Sequence, residues 1–307
     1  MNIYDYAIII AVIILMYLLA KPYLSYSHEN MEVVNEKQLD VAALITYINS
    51  KITPTEQYIQ RTNIVIDNEI PYNIYMIWHS SELPPIMKTY VDNTIATNRE
   101  FNFFIYNVDD CRNFIGEKFD TDVLNAFDSL VPMAYKADLW RYCILYINGG
   151  IYLDIKFAPV NGFKFIHLMD KERFPLERVS DYWDNGTFGM YNGFLIAKPG
   201  NQILLDCIND IVTNVKEHNY CYNDLYPTGP GLLGLNYFKH NKSFDDIDVF
   251  FTDVADTRGC PYRIQYNNSV ILESYPEYLQ ERKSNDGNRY GKVYIEKNIY
   301  GELNDQK

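Results

Sequence analysis

The stretch from Pro132 to Phe157, PMAYKADLWRYCILYINGGIYLDIKF, leaves the chain few ways to fold. It reads as a helix, a glycine turn and a strand. Pro132 suits the first turn of a helix, where its missing N–H would have no partner anyway. Ala134, Ala137, Leu139, Trp140, Ile144, Leu145 and Ile147 recur at roughly helical spacing and mark an apolar face. Gly149 and Gly150 stop the helix, because glycine enters the left-handed cap without a Cβ penalty. Ile151 to Phe157 then alternates: Ile151, Leu153 and Ile155 point one way, Tyr152, Asp154 and Lys156 the other. Asp138 and Arg141, three apart, share one helix face. A strand with so apolar a face, following a buried helix, belongs in the middle of an α/β sheet. Ligands of open α/β sheets lie beyond the carboxyl ends of the strands. Asp154 stands there, and a buried carboxylate needs a partner.

The remaining pattern extends this unit. Tyr72–Trp78 reads as a buried strand, Ile86–Thr97 as a helix after the turn Glu82-Leu83-Pro84-Pro85, and Phe101–Tyr106 as a second strand. Asp109 suits the cap of a short helix stopping at Gly116, and Phe119–Leu130 is helical. Strand–helix–strand–helix–strand order predicts a doubly wound, Rossmann-like sheet with right-handed crossovers. Lys171–Asn185 is charged and irregular and reads as a loop, and Met190–Lys198 contains a strand preceded by Tyr191-Asn192-Gly193. Asn201–His218 is the cleanest amphipathic helix, with Ile203, Leu204, Cys207, Ile208, Ile211, Val212 and Val215 on one side. Thr228-Gly229-Pro230-Gly231 leads into a further helix, and Ile247–Phe251 and Asn268–Leu272 read as late strands.

Upstream, Ala7–Ala20 is unbroken and apolar. With its flanks, residues 6–24 reach the ~20 residues that cross a bilayer. The expectation is a single-pass membrane anchor over 1–25, a stem over 26–70 and an α/β domain over 71–307, with the side of the membrane open. A cleaved signal peptide is the rival reading. It is opposed by an N-terminus without Lys or Arg and by the lack of a nearby small-x-small site. A buried helix is the third reading. Twenty-seven basic against 40 acidic residues give a net charge of −13, which speaks against nucleic-acid binding. The five cysteines form no C-x-x-C pair, so a zinc site is unsupported. Sequons at Asn185, Asn241 and Asn267 matter only in a secretory compartment.

The run A-x-x-A-D-L-W-R-Y-x-x-L-Y-x-x-G-G-I-Y-L-D-I closely resembles the core of glycosyltransferase family 32, the sugar-binding region that carries a DXD motif. I-P-x-x-I-x-x-I-W, ending at Trp78 with L-P-P downstream, is similar to the family's opening strand, and the T-G-P at Thr228 also matches. The resemblance covers about Pro71–Phe238. The tail, Ser274–Tyr278 and Lys297–Tyr300, resembles endings of related transferases from large DNA viruses.

This resemblance implies a GT-A fold, a UDP- or GDP-hexose donor, a glycan or protein-linked acceptor, and retention of configuration. By position, Asp138 and Arg141 would hold the donor sugar, and Asp154 the ribose or sugar. Trp78 would lie near the base, and Tyr135, Gly149, Gly150, Tyr152, Asn192, Thr228 and Gly229 would complete the donor site. No enzyme nucleophile is evident, so front-face attack by the acceptor is the default.

The family's second DXD aspartate, a ligand of a divalent metal, is Lys156 here. The five histidines, at 28, 79, 167, 218 and 240, include none in the final segment, where family members commonly place a metal ligand. Two expectations stay open. Asp154, with oxygens such as those of Asp253 or Asp256, holds Mn²⁺ or Mg²⁺; or the Lys156 ammonium replaces part of the metal's charge. The competing functions are a non-catalytic nucleotide-sugar or glycan-binding protein with a degenerate DXD site, and a glycoside hydrolase using Asp138 and Asp154 as facing carboxylates ~5–9.5 Å apart. Taken alone, Asp138 and Arg141 would read as a plain helix ion pair; the surrounding motif decides otherwise.

Overall fold

The computed structural model describes residues 67, 69–178, 188–240, 242–253, 262–278 and 290–302. The expected anchor, the stem up to 66, the sequons at 185 and 241, and Asp256 lie outside the described residues. No helix among the described residues is long and apolar enough to cross a membrane.

Two four-stranded sheets form the framework. In the first, β1 (Asn73–Ile77) lies between β2 (Asn102–Tyr106) and β3 (Gly150–Leu153), parallel to both, and β5 (Phe194–Ala197) closes the order β2-β1-β3-β5 antiparallel to β3. This is the mixed α/β sheet the strand and helix order predicted. The second sheet is antiparallel: β4 (Phe157–Pro159), β8 (Ser269–Ser274), β7 (Tyr262–Tyr266) and β6 (Val249–Asp253), in that order.

The period of two along each strand divides the core between the faces of the first sheet. Tyr75, Ile77, Tyr152 and Leu195 join a cluster with α2 (Val108–Lys118), α3 (Thr121–Ser129), α4 (Met133–Asn148), α5 (Gln202–Glu217) and α6 (Pro230–Lys239). Ile74, Met76, Ile151, Leu153, Phe194 and Ile196 face the other way, against α1 (Pro85–Thr97) and residues of the second sheet such as Phe251, Ile264 and Leu272. A last short helix, α7 (Tyr290–Ile295), packs against α4.

Several boundaries differ from the sequence reading. The strand does not run to Phe157: β3 ends at Leu153, and the Phe157 N–H donates to the Asp154 carbonyl at 3.0 Å, closing a turn. Ile155 stays buried, so alternation persists through the turn and hides it. Helix α2 is capped by Asn107, not Asp109. The Asn107 side chain accepts from the Asp110 N–H while the Asp110 carboxylate accepts from the Asn107 N–H, a reciprocal box that fixes the start. It runs through Gly116 to Lys118, and α3 begins at Thr121 under an Asp120 cap. Strand β7 was not anticipated. Asn267 and Asn268, at φ 48° and 61°, form the two-residue turn that joins it to β8, so β8 begins at Ser269 rather than Asn268.

Candidate active site

Four elements meet at the carboxyl ends of β1 and β3. Helix α4 contributes Asp138 and Arg141, with Gly149 (φ 62°) as its C-cap. The turn after β3 contributes Asp154 and Lys156, the loop before β5 contributes Tyr191–Gly193, and the approach to α6 contributes Thr228 and Gly229. They surround a cleft of about 460 Å³.

Arg141 is the hub. It is 6% exposed, and its Nη2 lies 3.2 Å from Asp138 Oδ1 and its Nη1 3.7 Å from Asp154 Oδ1. Nη1 also donates to the Asn192 carbonyl at 2.7 Å, Nε to the Ala137 carbonyl at 3.1 Å, and the guanidinium lies 4.4 Å from the Tyr152 ring centre. One guanidinium therefore pins both carboxylates. This is not the open pair of facing carboxylates that a glycoside hydrolase needs.

Asp138 accepts from Asn192 Nδ2 at 2.9 Å and Thr228 Oγ1 at 2.7 Å. Burial keeps its pKa above the ordinary carboxylate value, although Arg141, Thr228 and Asn192 pull it down. Asp154 is held lower than usual: burial opposes its charge, but Lys156, Arg141 and the Tyr152 hydroxyl outweigh burial. Lys156 Nζ donates to Asp154 Oδ2 at 2.7 Å, and hydroxyls of Tyr152 and Tyr191 donate to the two Asp154 oxygens at 3.0 and 3.2 Å. Burial disfavours the ammonium, yet Asp154 holds its pKa well above the ordinary lysine value. Four rings enclose it: Phe157, Tyr262, Tyr191 and Tyr278, at 5.2, 5.3, 5.6 and 5.7 Å. Gly193 is required beside this group, since a Cβ there would lie 2.3 Å from the Tyr191 hydroxyl and 2.5 Å from Asp154 Oδ2.

Of the residues singled out in the sequence, Trp78, Tyr135, Asp138, Arg141, Tyr152, Asp154, Lys156, Asn192 and Gly229 line the cleft. Thr228 is fully buried behind Asp138. Gly149 and Gly150 stand at the other end of β3, away from the cleft. A Cβ on them would meet Pro199 Cδ at 2.5 Å and the Asn73 carbonyl at 2.6 Å, so both serve the helix-to-strand turn. The cleft also contains His79, Glu177, Arg178, Asp224, Tyr262 and Tyr278, which local pattern did not single out as site residues.

Residues 84–175 match the family described as the glycosyltransferase sugar-binding region containing a DXD motif. Residues 84–175 are thus similar to a glycosyltransferase sugar-binding region. The match spans the α4–β3 unit and both members of the Asp154/Lys156 pair. An uncharacterised glycosyltransferase of Acanthamoeba polyphaga mimivirus is 36% identical over 88 residues, 28% of this chain and 35% of that protein. Inositol phosphoceramide mannosyltransferases 3 and 2 of Schizosaccharomyces pombe are 30% and 24% identical, over 54% and 60% of this chain. The matches span 44% and 51% of those two enzymes, so the chain covers about half or less of the length of these relatives. Among solved structures, the PaToxG glycosyltransferase aligns at 15% identity over 65% of this chain and 76% of its own, with a TM-score of 0.43.

Within the matched residues the segment aligned with the DXD motif reads Asp154-Ile155-Lys156. The described residues do not fit a divalent cation beside Asp154. Oδ2 already faces an ammonium at 2.7 Å and Oδ1 a guanidinium at 3.7 Å, so a dication there would meet two like charges. Among the described residues no group of three His, Cys, Asp or Glu side chains could hold a metal ion. Asp256 and the Asp253 side chain lie outside the described residues.

Proposed function

We propose that this chain transfers a hexose from a UDP- or GDP-sugar to a hydroxyl of a glycan or protein-linked acceptor, with retention of configuration and a GT-A type fold. The observation that carries the reading is the Asp138–Arg141–Asp154–Lys156 network at the carboxyl ends of β1 and β3. Transfer requires that the donor be gripped, the departing diphosphate's charge be offset, and the acceptor hydroxyl be brought close. Asp138 and Arg141 bind hydroxyls of the donor sugar. Asp154 orients the ribose or sugar and fixes Lys156. The Lys156 ammonium has three donors, of which Asp154 takes one, and a further donor meets the leaving diphosphate in place of a metal. Trp78 follows β1 and lines the cleft, which supports its stacking on the nucleotide base. Residues 6–24 anchor the chain in a membrane. The unbroken apolar run Ala7–Ala20 supports this, and release of the full chain from membranes by alkaline carbonate would exclude it.

The test incubates the detergent-solubilised full chain with a panel of UDP- and GDP-hexoses, in Mn²⁺ or in EDTA, and measures released nucleotide. Release from one donor that survives EDTA is the expected result. Release abolished by EDTA would overturn the role given to Lys156. The second reading is a nucleotide-sugar-binding protein, favoured by the closed Asp154–Lys156 pair. Donor binding without release, with or without a glycan acceptor, would establish it.

A further inference from the structure

Four carboxylates line the described cleft: Asp138, Asp154, Glu177 and Asp224. Three have charged partners. Asp138 and Asp154 share Arg141, Asp154 also holds Lys156, and Glu177 Oε1 lies 3.8 Å from Arg178 Nε. Asp224 differs. Its backbone carbonyl accepts from the Tyr135 hydroxyl at 2.6 Å, but among the described residues its carboxylate meets only its own backbone N–H. Burial raises its pKa, and among the described residues no cation offsets that burial. Gly291 leaves room beside it, since a Cβ on that glycine would stand 2.9 Å from Asp224 Oδ2.

Its position relative to Asp138 is informative. A single point, the place a Cβ would take on Gly229, lies 3.1 Å from the Leu225 carbonyl and 3.3 Å from Asp138 Oδ2. Through that point the Leu225 carbonyl, next in sequence to Asp224, approaches Asp138, while Asp224 itself lines the same cleft and is tied through its own carbonyl to Tyr135, one helical turn before Asp138. A partly buried carboxylate with no cation gains most from neutral O–H donors, which relieve its desolvation. A hexose seated on Asp138 and Arg141 presents such donors at its far end.

We propose that Asp224 reads hydroxyls of the transferred sugar, accepting hydrogen bonds from the end of the hexose remote from the diphosphate. This rests on the glycosyltransferase reading, and makes Asp224 a specificity-determining residue for the hexose. Sites built to hydrogen-bond a hydroxyl reject the analogue that cannot supply it.

The test is titration calorimetry on the full chain in detergent, wild type against Asp224→Ala and Asp224→Asn. The probes are UDP and GDP alone and the UDP- and GDP-linked glucose, galactose and mannose series. The expected result is that Asp224→Ala weakens the preferred nucleotide sugar about tenfold or more, the range for losing a hydrogen bond to a charged group. Affinity for the free nucleotide stays unchanged, and the preference among epimers shrinks. Asp224→Asn, keeping one acceptor oxygen, loses less. Equal weakening of sugar-linked and free nucleotide would overturn the proposal, since it marks a general disturbance of the cleft. Unchanged nucleotide-sugar affinity with a raised KM for the acceptor would overturn it in favour of acceptor binding. A wild type that binds no nucleotide sugar would overturn the glycosyltransferase reading, and this inference with it.

Discussion

Replacing Lys156 with methionine tests whether its ammonium and Asp154 form a buried pair in which each needs the other. The side chains are 14% and 22% exposed and 2.7 Å apart. Removing one partner of such a pair costs about 3–5 kcal/mol, because the remaining charge is left buried. Asp154 would keep Arg141 at 3.7 Å and two tyrosine hydroxyls, so the lower end applies, about 3 kcal/mol. For a domain of this size that lowers the Tm by about 6–12 °C. The double variant Asp154→Asn/Lys156→Met removes both charges and recovers at least half of the loss. The measurement is denaturant unfolding of wild type, both single variants and the double variant at neutral pH. A single-variant loss below about 1 kcal/mol, or strictly additive losses, would refute the pairing argument. The pH dependence carries the same sign. Asp154 is depressed in the folded state, so its contribution is complete above the ordinary carboxylate pKa and fades as pH falls through the depressed value. Lys156 is raised, so its contribution is complete below the ordinary lysine pKa and fades only as pH climbs through the raised one. The gap between wild type and Lys156→Met is therefore flat across neutral pH and closes in acid. Turnover separates stability from chemistry: the double variant regains folding but not donor cleavage. Turnover that returned with stability would deny Lys156 a place at the diphosphate.

Gly193→Ala forces a methyl against the Tyr191 hydroxyl and Asp154, and is expected to cost about 1–3 kcal/mol in unfolding experiments and to depress donor turnover. Thr228→Val keeps the shape of the side chain but removes the 2.7 Å donor to Asp138; unfolding curves should show a loss of about 1–3 kcal/mol, and donor KM should rise. Lys136 donates to the Phe127 and Asp128 carbonyls at the end of α3, and burial lowers its pKa to about 8. The unfolded chain then holds this proton longer than the folded one, so stability of wild type relative to Lys136→Met should rise between about pH 8 and 10.5, and a flat difference would contradict the burial of this amine.

The α4–β3 unit was legible because everything that forms it is local. A proline at the helix start, glycines at its end and an apolar stripe between them bring Asp138, Arg141 and Asp154 together at fixed spacing. The same local logic fails where two residue types compete. Asn107 and Asp109 both suit a helix cap, and only the reciprocal bond from Asp110 chooses between them. Nor could alternation reveal the end of β3, because Ile155 is buried after the strand has stopped. The Asn267-Asn268 pair was a readable hairpin signal, as two adjacent residues tolerant of positive φ, and it would have exposed β7.

The rings around Lys156 were illegible for a different reason. Phe157 is adjacent, but Tyr191, Tyr262 and Tyr278 arrive from the β5 approach, from β7 and from the segment after β8, and 28 tyrosines offer no local mark to choose among them. They converge because the turn at Asp154 sends the chain from the first sheet into β4 of the second, whose inner strand β7 carries Tyr262 to the same ammonium. Tyr191 stacks on Phe251 of β6 at 3.9 Å, tying the β5 loop to that sheet. The substitution of lysine for a second carboxylate is thus matched by its surroundings. An ammonium gains from these four rings, whereas a carboxylate would be repelled by their faces and would stand beside Asp154 as a like charge. Asp154→Asn and Lys156→Asp are for this reason not equivalent ways of breaking the pair. The second puts a further anion inside the aromatic box and should be the more destabilising of the two by unfolding experiments.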